Sequence, residues 1–215
     1  MARSKWATQA RMEVLQGITG AFLTAIGVVY LHLQLSILFG AAAFNRMANA
    51  LAGNPLAFIF WIGVGGALLL HVRAVGAKIP PQWAHYKHLF YYLKRISHGG
   101  TQLWLAQLFS GLGLLILLPF WGGMLYWHWG EINAQSTAYR ITWQGGWLLY
   151  ATLLPLLVVH GIAGITRMWL KWCPIAEPRF AGRRLMRAFA IYLMVLGMGL
   201  LGWHVGAGSA LLPLG

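Results

Sequence analysis

Residues 61–71 read WIGVGGALLLH, an unbroken apolar and glycine run from Trp61 to Leu70 that ends on His71. The run continues one that starts at Pro55, and together they reach the ~20 residues a helix needs to cross a hydrocarbon core. Residues 153–160, LLPLLVVH, end the same way on His160. In lipid every backbone amide must be satisfied within its own segment, so such runs are helical. An ionisable group inside such a helix is costly, and it marks a functional site by default.

The rest of the chain supplies the same medium. Hydrophobic residues make up 59% of the 215 and charged residues 9%, with a mean hydropathy of +0.64, too apolar for a soluble domain. Hydropathy places five transmembrane helices at roughly 16–40, 55–77, 101–127, 145–171 and 188–208. The fold class is therefore an all-α integral membrane protein, and residues 1–215 form a single transmembrane domain. Met1 to Arg11 is polar and basic and precedes a run long enough to span, so no cleavable signal peptide is expected. Cys173 stands alone, which leaves no disulfide or Cys-based metal site within the chain. It reads as an inert residue at a helix end.

The connections are short. An Ala/Asn stretch around Asn45 to Asn54 joins the first two helices, and Pro55 suits a first helical turn. Pro80 to His98 is aromatic and basic and is expected to lie at the interface, with Trp83, Tyr86, Phe90, Tyr91 and Tyr92 at headgroup level. No internal repeat is evident along the linear sequence.

A formal charge of +13 would suggest nucleic acid if it were scattered, but its distribution is a topology signal. With the N-terminus inside, Arg3, Lys5, Arg11, Arg73, Lys78, Lys87, Lys94, Arg95, Arg167, Lys171, Arg179, Arg183, Arg184 and Arg187 are all inside. Only Arg46 and Arg140 of the 16 Lys and Arg fall outside. That bias places the N-terminus inside and the C-terminus outside. Contact with anionic lipid explains most of these cations, and a docking surface for a soluble partner is a further reading. No stacking platform for nucleic acid is indicated.

On this topology the second and fourth helices both run inward. His71 and His160 precede Lys78 and Lys171 by seven and eleven residues, a difference of ~6 Å that tilt absorbs. Two imidazoles at matching depth above basic residues point to a b-type haem held between them. The bland alternative, each ring donating to a nearby carbonyl, serves one histidine better than two. Gly65, Gly66, Ala67, Gly161, Ala163 and Gly164 would leave room for a macrocycle, although close helix packing also selects small residues.

Three further runs make the pattern specific: His71 to Pro80; Arg95, Ser97, His98, Gly99, Thr101, Leu103, Trp104 and Gln107; and His160, Gly161, Gly164, Arg167, Lys171 and Trp172. With Leu15, Gln16, Thr19 and Gly20 they resemble the cytochrome b membrane anchor of the quinol:fumarate reductase and succinate:quinone reductase family, in its five-helix menaquinone type. The resemblance implies electron transfer between menaquinone and an iron-sulfur subunit, with a flavoprotein subunit beyond it, both on the cytoplasmic side of a bacterial inner membrane. The dicarboxylate chemistry would lie outside this polypeptide, and homodimerisation of the whole complex stays open. It carries His71 and His160 over as axial iron ligands, and His98, Lys171, Gln16 and Trp104 as propionate or haem-edge contacts. For His98 an interfacial cap and for Lys171 simple snorkelling are the alternatives.

Departures from the family pattern limit what carries over. A second, outer haem would take ligands from the first and third helices, where Tyr30 and Trp121 stand; Trp has no lone pair for iron, and Tyr ligation belongs to another kind of haem site. His32 and His128 form the candidate substitute pair, reachable only through a bulge or realignment, so one haem is expected. Val158 occupies the place of a glutamate that dihaem relatives use to move protons. The acidic residues Glu13, Glu131 and Glu177 all read as lying outside the apolar spans, so no carboxylate-dependent proton path is expected. Tyr30, Trp121, Tyr126 and His128 fit an aromatic belt better than an outer quinone site. His85 and His88 read as interfacial, and His204 as solvated.

Two other classes remain open. A haem b anchor of a hydrogenase or formate dehydrogenase would share the histidines without the ordered runs. A transporter or channel would use buried polar groups as a path and carry no haem.

Overall fold

The computed structural model describes residues 2–76, 87–88, 91, 99–172 and 178–211, the side chains of 2–7 and 178–181 excepted. Among the described residues there is no strand. The helices are α1 (Ala2–Leu33), α2 (Ala41–Ala52), α3 (Pro55–Gly76), α4 (Gly99–Trp127), α5 (Ala134–Trp143), α6 (Gly146–Trp172) and α7 (Pro178–Ser209). Five are long and apolar enough to cross a membrane: Thr8–Phe39, Pro55–Gly76, Gly99–Trp127, Gly146–Trp172 and Gly182–Ser209. The expected Pro80–His98 interfacial segment falls largely outside the described residues, as do His85, His98, Cys173 and Glu177.

The bundle packs α4 on α6, α6 on α7, α1 on α3 and α1 on α6. Its seams use small residues, as expected where no hydrophobic force draws helices together in lipid. A Cβ on Gly113 would meet Leu156 at 2.9 Å, and one on Gly161 would meet Thr24 at 2.8 Å. The opposite helix faces are open and apolar, with Leu69 73% and Ile116 63% exposed, a surface suited to acyl chains. Pro119 and Pro155 lie inside α4 and α6, which bundle packing tolerates by re-satisfying the freed carbonyls.

One end of the bundle is roofed. The sequence reads the Asn45–Asn54 stretch as a plain connection, but the chain forms α2 there, and α5 forms between α4 and α6. A 3₁₀ segment, Gln34–Phe39, extends α1 until Gly40, at φ 99°, turns the chain back in a conformation costly for any residue with a Cβ. Gly145, at φ 74°, does the same between α5 and α6. Asn45 Oδ1 accepts from Ala134 N at 2.8 Å, and Asn133 and Ser136 form a reciprocal cap at the start of α5. Trp61 and Trp129 donate indole N–H groups to Leu51 O and Ala52 O, each at 3.0 Å. Ile37, Phe44, Ala48, Ala134 and Leu200 form the small core beneath this cap.

The cap reverses the expectation of a solvated His204. Its side chain is 4% exposed, edge-on to Phe44 at 5.7 Å between ring centroids, because α2 folds over the end of α7. Arg140, also read as a loop cation, is buried on α5. Pro55 behaves as expected, with Asn54 Oδ1 accepting from Ala57 N at 2.9 Å to cap α3.

Candidate functional site

His71 on α3 and His160 on α6 face each other inside the bundle, their ring centroids 6.2 Å apart and their planes at 80°. His71 is buried, at 9% exposure, and His160 is half-buried. Each ring is anchored through Nδ1. His160 Nδ1 lies 3.0 Å from Gln107 O; a carbonyl only accepts, so Nδ1 carries the proton and Nε2 keeps its lone pair. His71 Nδ1 lies 3.1 Å from Thr19 Oγ1. That hydroxyl already donates to Leu15 O at 2.7 Å, so it accepts from His71, whose Nε2 lone pair is again left free. Ser110 Oγ, donating to Ala106 O at 2.6 Å, stands 3.4 Å from His160 Nδ1.

Both readings of these histidines are therefore satisfied at once. The bland one describes Nδ1, and the ligand role needs only Nε2. Two imidazoles bound to one metal at ~2 Å per bond bring their ring centroids roughly 6 Å apart, and the observed 6.2 Å fits. Among the described residues no cluster of three or more His, Cys, Asp or Glu could hold a metal ion. A protein site for a bare transition ion usually needs three or four donors, whereas a haem brings its own equatorial nitrogens and asks the protein for axial ligands alone. The donor set matches a haem.

The small residues against the rings are a different set from those that would leave room for a macrocycle. Gly65 and Gly66 have nothing within 4 Å of where a Cβ would be, Gly161 faces Thr24, and Gly164 faces Gln107. Instead, a Cβ on Gly20 would stand 2.9 Å from His71 Cε1, and one on Gly111 would stand 2.8 Å from His160 Cε1. The Gln16 carbonyl stands 3.4 Å from the Thr19 hydroxyl, and Trp104 is half-buried one turn before Gln107 on α4. Toward the basic end, Arg167 donates to Gln107 Oε1. Lys171 pairs with Glu13 and stands 5.9 Å from the Trp172 ring centroid. Glu13 lies on α1 itself, exposed beside Lys171 at the basic end of the bundle.

Contacts among these residues also expose a repeat that the linear sequence hides. QGITG at 16–20 and QLFSG at 107–111 each cradle one imidazole. The partner histidine follows the hydroxyl residue 52 positions later in one case and 50 in the other. The equivalent runs LLLHVRAVGAK at 68–78 and LVVHGIAGITR at 157–167 align His71 with His160, the buried Ala74 with Ala163, and Lys78 with Arg167. Measured to Arg167 instead of Lys171, the two histidines lie at the same offset from their basic residue. The repeat is short and degenerate, so only the shared contact geometry brings it out.

Toward the cap, Tyr30 and Trp121 do meet, edge-on at 6.1 Å, and Tyr30 meets Trp61 at 6.2 Å. His32 is engaged elsewhere, with Nδ1 2.7 Å from Val28 O and Nε2 2.8 Å from Tyr192 Oη. His128 pairs with Glu131 at 3.2 Å.

No protein-family profile matches the chain. Individual relatives do. The fumarate reductase cytochrome b subunit of Helicobacter pylori is 27% identical over 93% of this chain and 82% of its own length. The fumarate reductase cytochrome b subunit of Wolinella succinogenes is 23% identical over 96% of this chain and 86% of its own. Across nearly its whole length, the chain is thus similar to curated proteins named fumarate reductase cytochrome b subunit, in more than one species.

Proposed function

We propose that the chain is the membrane-anchor and electron-transfer subunit of a fumarate reductase or succinate dehydrogenase complex, passing electrons between menaquinone and an iron-sulfur subunit. The observation that carries this reading is the pair of free Nε2 atoms on imidazoles 6.2 Å apart, in a chain similar to subunits named cytochrome b. His71 and His160 would hold a haem b as axial ligands, and the bound group would supply one-electron redox chemistry at low-spin iron. The protein's own part is to fix both imidazoles, their tautomers and a dry apolar surround.

The cap-side aromatic cluster supports a single haem. Tyr30, Trp61 and Trp121 occupy the level where an outer pair of ligands would stand, and both nitrogens of His32 are already engaged. At the basic end, Arg167 is well placed for a propionate, two helical turns from His160 and tied to Gln107. Lys171 would have to exchange Glu13 for a propionate to serve. His98, outside the described residues, stays a candidate from its motif.

The basic end would face the cytoplasm and the iron-sulfur subunit, placing the protein as a multi-pass component of a bacterial inner membrane. A pyridine haemochrome assay on the purified complex tests the reading. One haem b per chain is expected; none would overturn it, and two would overturn the single-haem assignment.

A further inference from the structure

The bundle grips its two imidazoles with one device used twice. Each cradle opens on a Gln, and the carbonyl of one of them, Gln107, accepts from the His160 ring. Three residues later a hydroxyl, donating one turn back along its own helix, turns its oxygen toward Nδ1. The next residue is a glycine whose missing side chain leaves space for the Cε1 edge. Glycine is not demanded there by helix packing in general, since Gly27 on the same α1 has nothing within 4 Å of its would-be Cβ.

We infer that Thr19 and Ser110 are paired positioning residues for the axial histidines, and that Gly20 and Gly111 are the clearances without which neither ring can hold its place. This rests on the haem reading above. Each half of the bundle, α1 with α3 and α4 with α6, then contributes one complete ligand arm. The arms are not equal. Thr19 is the closer hydroxyl, at 3.1 Å from its ring, while Ser110 at 3.4 Å backs up a carbonyl at 3.0 Å. Accepting a bond from Nδ1–H makes an imidazole a stronger donor to iron and favours the oxidised state. Loss of the Thr19 hydroxyl should therefore raise the haem midpoint potential, and loss of the Ser110 hydroxyl should raise it less.

The test uses the whole complex in membranes, with haem content, low-spin EPR and redox titration as readouts. Thr19→Val, which keeps the shape and removes the hydroxyl, is expected to retain haem with a raised potential, and Thr19→Ser to restore the native value. Gly20→Ala and Gly111→Ala are expected to lower haem per polypeptide several-fold, and Gly27→Ala to leave it unchanged. A native potential in Thr19→Val, or full haem in both glycine variants, would overturn the inference. His71→Ala separates the two levels: if it too keeps the low-spin haem, the haem reading itself has failed, whereas loss there beside unaffected cradle variants refutes the cradle alone.

Discussion

His71 and His160 each divide their two nitrogens between structure and chemistry. The Nδ1 side is tied to Thr19 or to Gln107, which leaves the Nε2 lone pair for a ligand role. Alanine at either position removes the only donor on that side, and no neighbouring side chain of the cradle can replace it. His71→Ala and His160→Ala are each expected to abolish the low-spin b-type spectrum of reduced membranes; an unchanged spectrum in either variant would contradict the ligand pair. His32 and His128, held by Val28, Tyr192 and Glu131, should behave oppositely. Their alanine variants are expected to leave the reduced spectrum nearly intact, and loss of half the absorbance would reveal a second site.

At the level of elements, the cap made by α2 and α5 is the part whose stability rests on a few local bonds. The Asn133 and Ser136 cap satisfies amides at the start of α5, so Asn133→Ala is expected to cost about 1 kcal/mol. Gly40 turns the chain at φ 99° and ψ 165°, and Gly40→Ala should cost roughly 1–3 kcal/mol for a side chain in a backbone region reached almost only by glycine. Both should lower the thermal midpoint of the purified complex in detergent while leaving haem content unchanged, because the cap lies at the far end of α1 from Thr19. Loss of haem in either variant would show that the cap and the imidazole site are coupled.

For the whole molecule, charge and depth combine. Arg183, Arg184 and Arg187 begin α7 at the same end of the bundle as Lys171. Reversing several of these charges is expected to weaken assembly with a soluble partner subunit at low salt, and the difference from the native chain should shrink at high salt, where exposed attraction and repulsion are both screened; copurification across a salt series measures it. Among the described residues the acidic side chains are Glu13, paired with Lys171, and Glu131, paired with His128. Quinone-coupled turnover is therefore expected not to depend on an intramembrane carboxylate of this chain. Inhibition by a carboxyl-directed reagent that disappears when Glu13, Glu131 and Glu177 are all replaced by Gln would place one of them on a proton route.

The medium, the five spans and the two histidines were legible in the residue order, because hydropathy is additive along a chain and two imidazoles at matching depth have a weaker bland alternative than one has. The resemblance to the fumarate reductase anchors was legible too, in short runs kept in order. Which glycines matter was not: Gly65 and Gly66 neighbour His71 in sequence, but Gly20, on another helix, touches its ring. The repeated cradle escaped notice because it is built from five-residue pieces of α1 and α4 whose likeness lies in what they hold. The cap was hidden as well, since an Ala/Asn stretch is ambiguous until Phe44 and Ala48 find Ile37 and Leu200, and so was the burial of His204. The sequence determined what must lie in the membrane. Which side chains converge there depended on how helices 50 residues apart pack, which is a tertiary property.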